Sequence, residues 1–585
     1  MNKELIINKR AELFEKRNQV ISLPPEKALD VILNDPHPMP LVHSFPEEDF
    51  YFLIHEIGLK DSVCLLSLAS NRQWDYILDI EAWEKDRVEI KSITRWLDLL
   101  HNADPDRLTR WLLDQHLEFF EFYLSKSIQV IIREHDQDPS DFGSDFFTYD
   151  AMFYVRFIDY LHDIKSDEND DEYQNKILSI FLKHLADYDH VTYQKILLET
   201  GTVIAAESEE EAYRLRNFRL AEKGFLPFDE AVGIYQPLKS KQLEKHNAKV
   251  IADKTDVEEF IHLPLYPSGM LKEENFFTGA LRLIQTENIL HQIQAEFAGM
   301  CNQIIAADQK KIRGRESLKN IVKKACGYIS IGLERLTLKD KKSDTNLNIV
   351  RSSELIQSFP LSHIFRVGYG LALELKWNAD KWRKTSWFAK QKLPLSFWSE
   401  ELLGVLGGLL IKKPLFYDNY KNGVLYREFC LLDEIKQTEK TLDEIIAFDN
   451  LLSLMDIRIA PFSDSFLTYK NLVLTLWARD YLGLPKDPVG VKEEGLKKVV
   501  PLALDEFKQF YEKLWSENNR PHTSTSMKKS FLEWLSSTTG LTPYEISFEL
   551  GETLENLFNE IENEYGKILE KDLDPRYINL FLVKN

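Results

Sequence analysis

Apolar residues recur at helical spacing through the first 115 positions. Phe50, Leu53, Ile54 and Ile57 fall at i, i+3, i+4 and i+7, and Ile90, Ile93, Leu97 and Leu100 follow a similar rhythm, so each set lines one side of a helix. Asp104-Pro105-Asp106 reads as another helix start, with Leu108, Trp111 and Leu112 on one face, and Arg95-Trp96-Leu97 is echoed by Arg110-Trp111-Leu112. The polar breaks carry a signal of their own. Ser22-Leu-Pro-Pro-Glu26, Ser44-Phe-Pro-Glu-Glu48 and Ser70-Asn-Arg-Gln73 are spaced 22 and 26 residues apart, and each sets a Ser where its hydroxyl can accept the free N–H groups of a first turn. Helices this short cannot bury a stripe alone, so the pattern predicts a solenoid-like stack over residues 1–125.

The rhythm changes after that stack. Ile128-Gln-Val-Ile-Ile132 favours β structure, and the following Asp, Pro and Gly positions are turn chemistry, which predicts a small irregular or β insertion near 128–150. Helical patterns resume to about residue 240, with one helix ending at Gly224 and another starting near Asp229. Pro237, Pro264 and Pro267-Ser-Gly269 mark 241–275 as a connecting segment. Residues 276–585 read as a helical C-terminal domain, in which Thr542-Pro-Tyr-Glu545 forms a capping box. The fold class expected is all-α, predominantly.

Composition agrees with a folded, water-facing chain: 585 residues, 44% hydrophobic, 12% aromatic and 29% charged. A net charge of −21 opposes wholesale binding of a polyanion. Cys64, Cys301, Cys326 and Cys430 lie far apart without a CxxC pair, so reduced thiols are expected rather than a zinc site or a disulfide framework. The three-residue apolar run near the N-terminus is too short for a signal peptide. The most apolar window, Leu402 to Ile411, has about half the ~20 residues of a spanning helix. These features predict a cytoplasmic protein without membrane insertion.

Residues 20–120, with their Pro-x-Glu-Asp phrasing before Leu-rich short helices, resemble the N-terminal superhelical domain of MgtE-type magnesium transporters. That resemblance implies a superhelical fold for this segment and no transport. Over a broader span, Glu134-His-Asp-Gln-Asp-Pro139, Gly224-Phe-Leu-Pro-Phe-Asp-Glu230 and Phe365-Arg-Val-Gly-Tyr-Gly-Leu-Ala-Leu-Glu-Leu-Lys376 are similar to an uncharacterised bacterial family of unknown function.

Three sets of residues offer chemistry. His162-Asp163 resembles the doublet of HD-type metal-dependent phosphohydrolases, with His135 upstream and Asp187 or Asp189 as a last ligand; Lys165 stands where that family commonly has Gly. The alternating acids of 167–172 lack the Gly and bidentate Glu of a calcium loop and read as a solvated loop. Two basic segments, Lys310, Lys311, Arg313 and Arg315, then Lys381, Arg383 and Lys384 among Trp377, Trp382 and Trp387, offer anion or single-stranded nucleic-acid binding. A five-residue spacing on a helix turns successive Trp side chains apart, which places some in the core. The glycines at 327–332, 368–370 and 404–408 match no phosphate loop and are read as close helix packing or helix ends. No cofactor is implied. The reading that follows is a non-catalytic helical scaffold that binds a protein partner, with the anion-binding and HD readings as alternatives.

Overall fold

The computed structural model describes residues 3–158, 168–243, 249, 274–338, 345–455, 457, 467–485, 500–515 and 522–584. It is predominantly α-helical, with three two-stranded antiparallel hairpins as its sheets among the described residues. Two compact units divide the chain, residues 1–366 and 367–585, and the division falls within the helix Leu361–Thr385.

The first unit opens with a 20-residue helix, Lys3–Ser22, and the expected short helices follow it. Phe50, Leu53 and Ile54 are buried on Glu47–Ile57, and Ile93, Leu97 and Leu100 on Ile90–Ala103. Asp104 caps Pro105–Gln115 by accepting from the Arg107 backbone N–H at 3.0 Å. Trp74 and Trp111, from Asn71–Glu81 and Pro105–Gln115, meet edge to face at 5.5 Å. The Asp75 carboxylate accepts from Trp111 Nε1 at 2.9 Å and lies 2.8 Å from His116 Nε2.

The helix starts divide differently from the sequence reading. Ser70 and Gln73 form the reciprocal capping box, but Pro25–Leu33 and Glu47–Ile57 begin after Pro24 and Pro46 without a side-chain cap. Ser22 and Ser44 instead donate backwards to the Gln19 and Leu41 carbonyls, closing the preceding helices. A Ser two residues before the proline that precedes a helix is too far upstream to reach the orphan N–H groups, and the preceding helix end lies closer.

Ile128–Ile132 pairs antiparallel with Phe153–Phe157, Ile128 opposite Phe157, so the β insertion extends past residue 150. Asp138 accepts from the Ser140 N–H at 2.8 Å, and its segment is a turn as its composition suggests. Behind the hairpin, Glu121 on Leu117–Ser127 meets Glu199 on His190–Thr200. Burial, then the hydrogen bond and repulsion from Glu199, pushes the Glu121 carboxyl up to about 7, against a smaller opposing pull from Lys195. A carboxyl raised in the folded state binds its proton more tightly there. Its contribution is therefore complete below the unfolded value near ~4.5 and is lost as pH rises through about 7. Screened by solvent, the effect is on the order of 1 kcal/mol. Thermal melts should show Glu121→Gln more stable than wild type at pH 8 and equal to it at pH 4; equal melts at both pH values would refute the paired-carboxyl reading.

In the second unit, Trp477 is enclosed edge-on by Phe510, Phe531 and Phe558 at 4.9, 5.0 and 6.2 Å. Leu582 N–H donates to Thr475 Oγ1 at 2.8 Å and its carbonyl accepts from Leu502, tying the last residues to this core. The apolar window at 402–411 lies on Ser399–Leu410, and no described helix is long and apolar enough to cross a membrane. A Cβ at Gly404 would lie 2.3 Å from the Tyr417 ring, and one at Gly408 would lie 2.4 Å from the Leu415 carbonyl oxygen. These glycines therefore seat the hairpin Phe416–Tyr417/Tyr426–Arg427 against the helix. Arg427 bridges Asp418 and Glu434 at its base at 2.7 and 2.5 Å. None of the four cysteines is in a disulfide, and Cys301 and Cys326 are buried.

Candidate binding cavity

A cavity of about 430 Å³ lies within the first unit, between Glu47–Ile57, Asn71–Glu81 with its hairpin Trp83–Val88, Ala205–Ala221, and Glu287–Asp308 with the segment to Arg313. Its size falls within the range of small-molecule sites. A wider groove of about 990 Å³ beside the 128–157 hairpin is open, and its polar side chains Gln129 and Arg156 are exposed. The smaller cavity gathers buried polar groups and is the candidate site.

Each wall has a local cause. On Ala205–Ala221, Tyr213, Arg216, Asn217 and Leu220 fall at i, i+3, i+4 and i+7, one stripe turned to the cavity. Arg219 holds this helix in place with a bidentate grip on Asp79, Nε to Oδ2 at 2.9 Å and Nη2 to Oδ1 at 2.6 Å. Arg216 donates to the Asp79 carbonyl at 2.6 Å and lies over Trp83 and Tyr213 at 5.5 and 5.9 Å. Burial lowers its pKa, although the nearby Asp79 opposes this. Across the cavity Tyr51 meets Tyr76 at 5.8 Å, and Tyr76 meets Phe225 at 6.5 Å.

Glu48 lies at this aromatic end and is 8% exposed. Apart from its own backbone N–H, no residue donates to its carboxyl among the described residues. Burial raises its pKa, with Lys223 pulling the other way. Asn302 spends its Nδ2 on the Lys223 carbonyl at 2.8 Å, leaving its Oδ1 as an acceptor on the cavity wall.

Beneath the cavity Glu81, 2% exposed, is the centre of a charge network. Arg313 donates to it through Nε at 3.0 Å and Nη2 at 2.8 Å, Tyr51 Oη donates at 2.6 Å, and His55 Nε2 lies 3.5 Å away. Burial works against the Glu81 charge, but these partners outweigh it and hold the carboxyl well below the ordinary range.

The structure thus separates the basic residues singled out in the sequence. Lys311 pairs with Glu89 at 3.1 Å and donates to the Glu81 carbonyl at 3.0 Å, and Arg313 is committed to Glu81. Lys310 is exposed on the cavity lining with no carboxylate partner among the described residues, and Arg315 opens the helix Arg315–Thr337. Lys381, Arg383 and Lys384 are exposed and belong to the second unit, where Trp382 and Trp387 are buried and Trp377 is half-exposed. His135 sits in an exposed turn, and Asp189 caps His190–Thr200; His162 and Asp163 lie outside the described residues. Among the described residues no three His, Cys, Asp or Glu side chains are grouped to hold a metal ion.

Sequence reasoning missed the cavity. The 213–220 stripe mixes Tyr, Arg, Asn and Leu, so a search for apolar periodicity passes over it. Glu48 resembles an ordinary acidic first-turn residue. The signal available was the i, i+3, i+4, i+7 set itself, read without regard to hydrophobicity.

Taken together, the fold and this site define a predominantly helical protein with a walled cavity in its first unit. The profile of the family of unknown function DUF6178 matches residues 5–584, and the chain belongs to that family. No curated protein and no solved structure matches the chain.

Proposed function

We propose that the chain is a non-catalytic helical interaction protein that binds a protein partner through the first unit. The observation that carries this reading is the set of apolar side chains on the outward faces of its middle helices. Val191 is 75% and Phe218 69% exposed, and Leu198, Ile204 and Leu215 are exposed beside them in sequence. Val191 and Leu198 share one face of His190–Thr200 by their seven-residue spacing, and Leu215 and Phe218 share one face of Ala205–Ala221. Exposed apolar side chains at such density favour contact with another protein. Asp187, Glu207, Glu210 and Glu222 are exposed in the same segment together with Lys183, Lys195 and Arg214, so the complementary partner surface is an apolar ridge flanked by charges of both signs. Lys311 and Arg313 support the same choice over polyanion binding, because their charge is spent inside the fold.

The test uses surface substitutions rather than deletion of the helical stack, whose removal would take the buried Asp79 and Glu81 away from Arg219 and Arg313. Wild type and a Val191→Asp, Leu198→Asp, Phe218→Asp variant are purified gently from the native host and their co-purifying proteins quantified. A protein recovered near one-to-one with wild type and lost from a variant of unchanged circular dichroism supports the reading. Equal recovery with both, or no protein near one-to-one, overturns it.

A further inference from the structure

We propose that the cavity of the first unit binds a small anion built on a flat heterocycle that carries N–H donors, of which a guanine nucleotide is the simplest case. Three features of the walls converge on this chemistry, and none involves the outward apolar faces. The first is aromatic: Tyr51, Phe52, Tyr76 and Phe225 at one end, Trp83 and Tyr213 at the other, all lining one space. Such rings accept a flat π-system by stacking, worth about 1–3 kcal/mol per base in nucleic-acid sites.

The second feature is Glu48. A carboxyl this buried, with only its own backbone N–H as donor, leaves hydrogen-bonding capacity facing the cavity. A ligand with two adjacent N–H groups satisfies that capacity. Guanine presents such a pair on one edge, N1–H and the exocyclic amino group, matched to the two oxygens of a carboxylate. Adenine presents a single exocyclic donor beside a ring acceptor, which faces a carboxylate poorly. Asn302 Oδ1 adds a further acceptor on the same cavity.

The third feature is the sign of the exposed lining. Lys310 and Lys85 are exposed and line the cavity, Lys310 without a carboxylate partner among the described residues. The backbone places both there: Lys85 turns the Trp83–Val88 hairpin at φ 63°, and Gln309 reverses the chain before Lys310 at φ 51°. A phosphate leaving the cavity toward solvent would meet these ammonium groups. The volume of about 430 Å³ suits one nucleotide rather than a strand.

The experiment is isothermal titration of the full-length protein with GMP, AMP and inorganic phosphate, repeated with Glu48→Gln and Lys310→Glu. The proposal expects saturable one-to-one binding of GMP, AMP weaker by about tenfold or more, and no binding of phosphate alone. Glu48→Gln, which keeps the side-chain volume, should weaken GMP by about tenfold or more while leaving the melting temperature unchanged or higher. Lys310→Glu should weaken GMP and steepen no other property of the protein. Absence of saturable GMP binding, equal binding of GMP and AMP, phosphate binding as tight as GMP, or GMP affinity unchanged in Glu48→Gln would each overturn it. Loss of the protein partner through the outward-face substitutions leaves these titrations unaffected, so the two readings fail separately.

Discussion

Glu81→Ala should destabilise the first unit by about 2–3 kcal/mol, below the ~3–5 kcal/mol of a pair buried on both sides, because the Arg313 side chain is 50% exposed. The carboxylate is 2% exposed and receives Arg313 in two hydrogen bonds and Tyr51 in a third, and its removal leaves those donors facing a void. Urea unfolding followed by tryptophan fluorescence measures the loss. A double substitution separates charge from packing: Glu81→Met with Arg313→Met should recover much of the stability lost by either single change, because apolar side chains of similar size fill the site without uncompensated charge. The pH dependence has a definite sign. The folded-state carboxyl lies below its unfolded value, so its contribution is complete above the ordinary range near ~4.5 and is lost as pH falls toward the folded value. Wild type should therefore lose stability in acid more steeply than Glu81→Gln. If Glu81→Ala unfolds at the wild-type urea concentration, the network is not what holds these helices together.

Gly332→Ala should cost about 3 kcal/mol, the upper end of the usual range for overpacking. A Cβ there would lie 2.2 Å from the Ile364 carbonyl oxygen and 3.1 Å from its carbonyl carbon. Backbone cannot rotate away as a side chain can, so the helix Arg315–Thr337 must move off Leu361–Arg366. The same change at Gly551, within Pro543–Tyr565, meets nothing within 4 Å and should be neutral or stabilising by about 0.5–1 kcal/mol. Comparison of the two melts distinguishes a packing cost from helix propensity; equal shifts would falsify the close-approach reading.

The helices were legible because their signals are local. Ser70 with Gln73 and Thr542 with Glu545 form reciprocal caps within four residues, and both boxes are present. The Gly332 and Gly404–Gly408 readings also held, since small residues in apolar helical stretches leave room for a neighbour. Ser22 and Ser44 misled because a hydroxyl near a helix junction can serve either side, and the proline between decides which. The site was illegible for a different reason. Arg313 looks like an anion ligand until Glu81 appears beside it, and 232 residues separate them in the chain. Glu48 looks solvated until Tyr76 and Phe225 enclose its end of the cavity.

The helix Ala205–Ala221 has a further consequence for how the first unit comes apart. Leu220 is its one fully buried side chain, and its attachment runs through Arg219 and Arg216 to Asp79 and through Glu209 to Arg87 and the Val88 N–H. Detaching it parts Tyr213 from Trp83, which it meets at 5.6 Å, and also breaks these charge contacts, so denaturant alone reports only part of its release. Added salt would show the rest, because screening weakens charge contacts while leaving apolar burial intact. Hydrogen exchange in low and high salt should find this helix among the first in the unit to lose protection, well before the tryptophan-packed helices around Trp74 and Trp111 do.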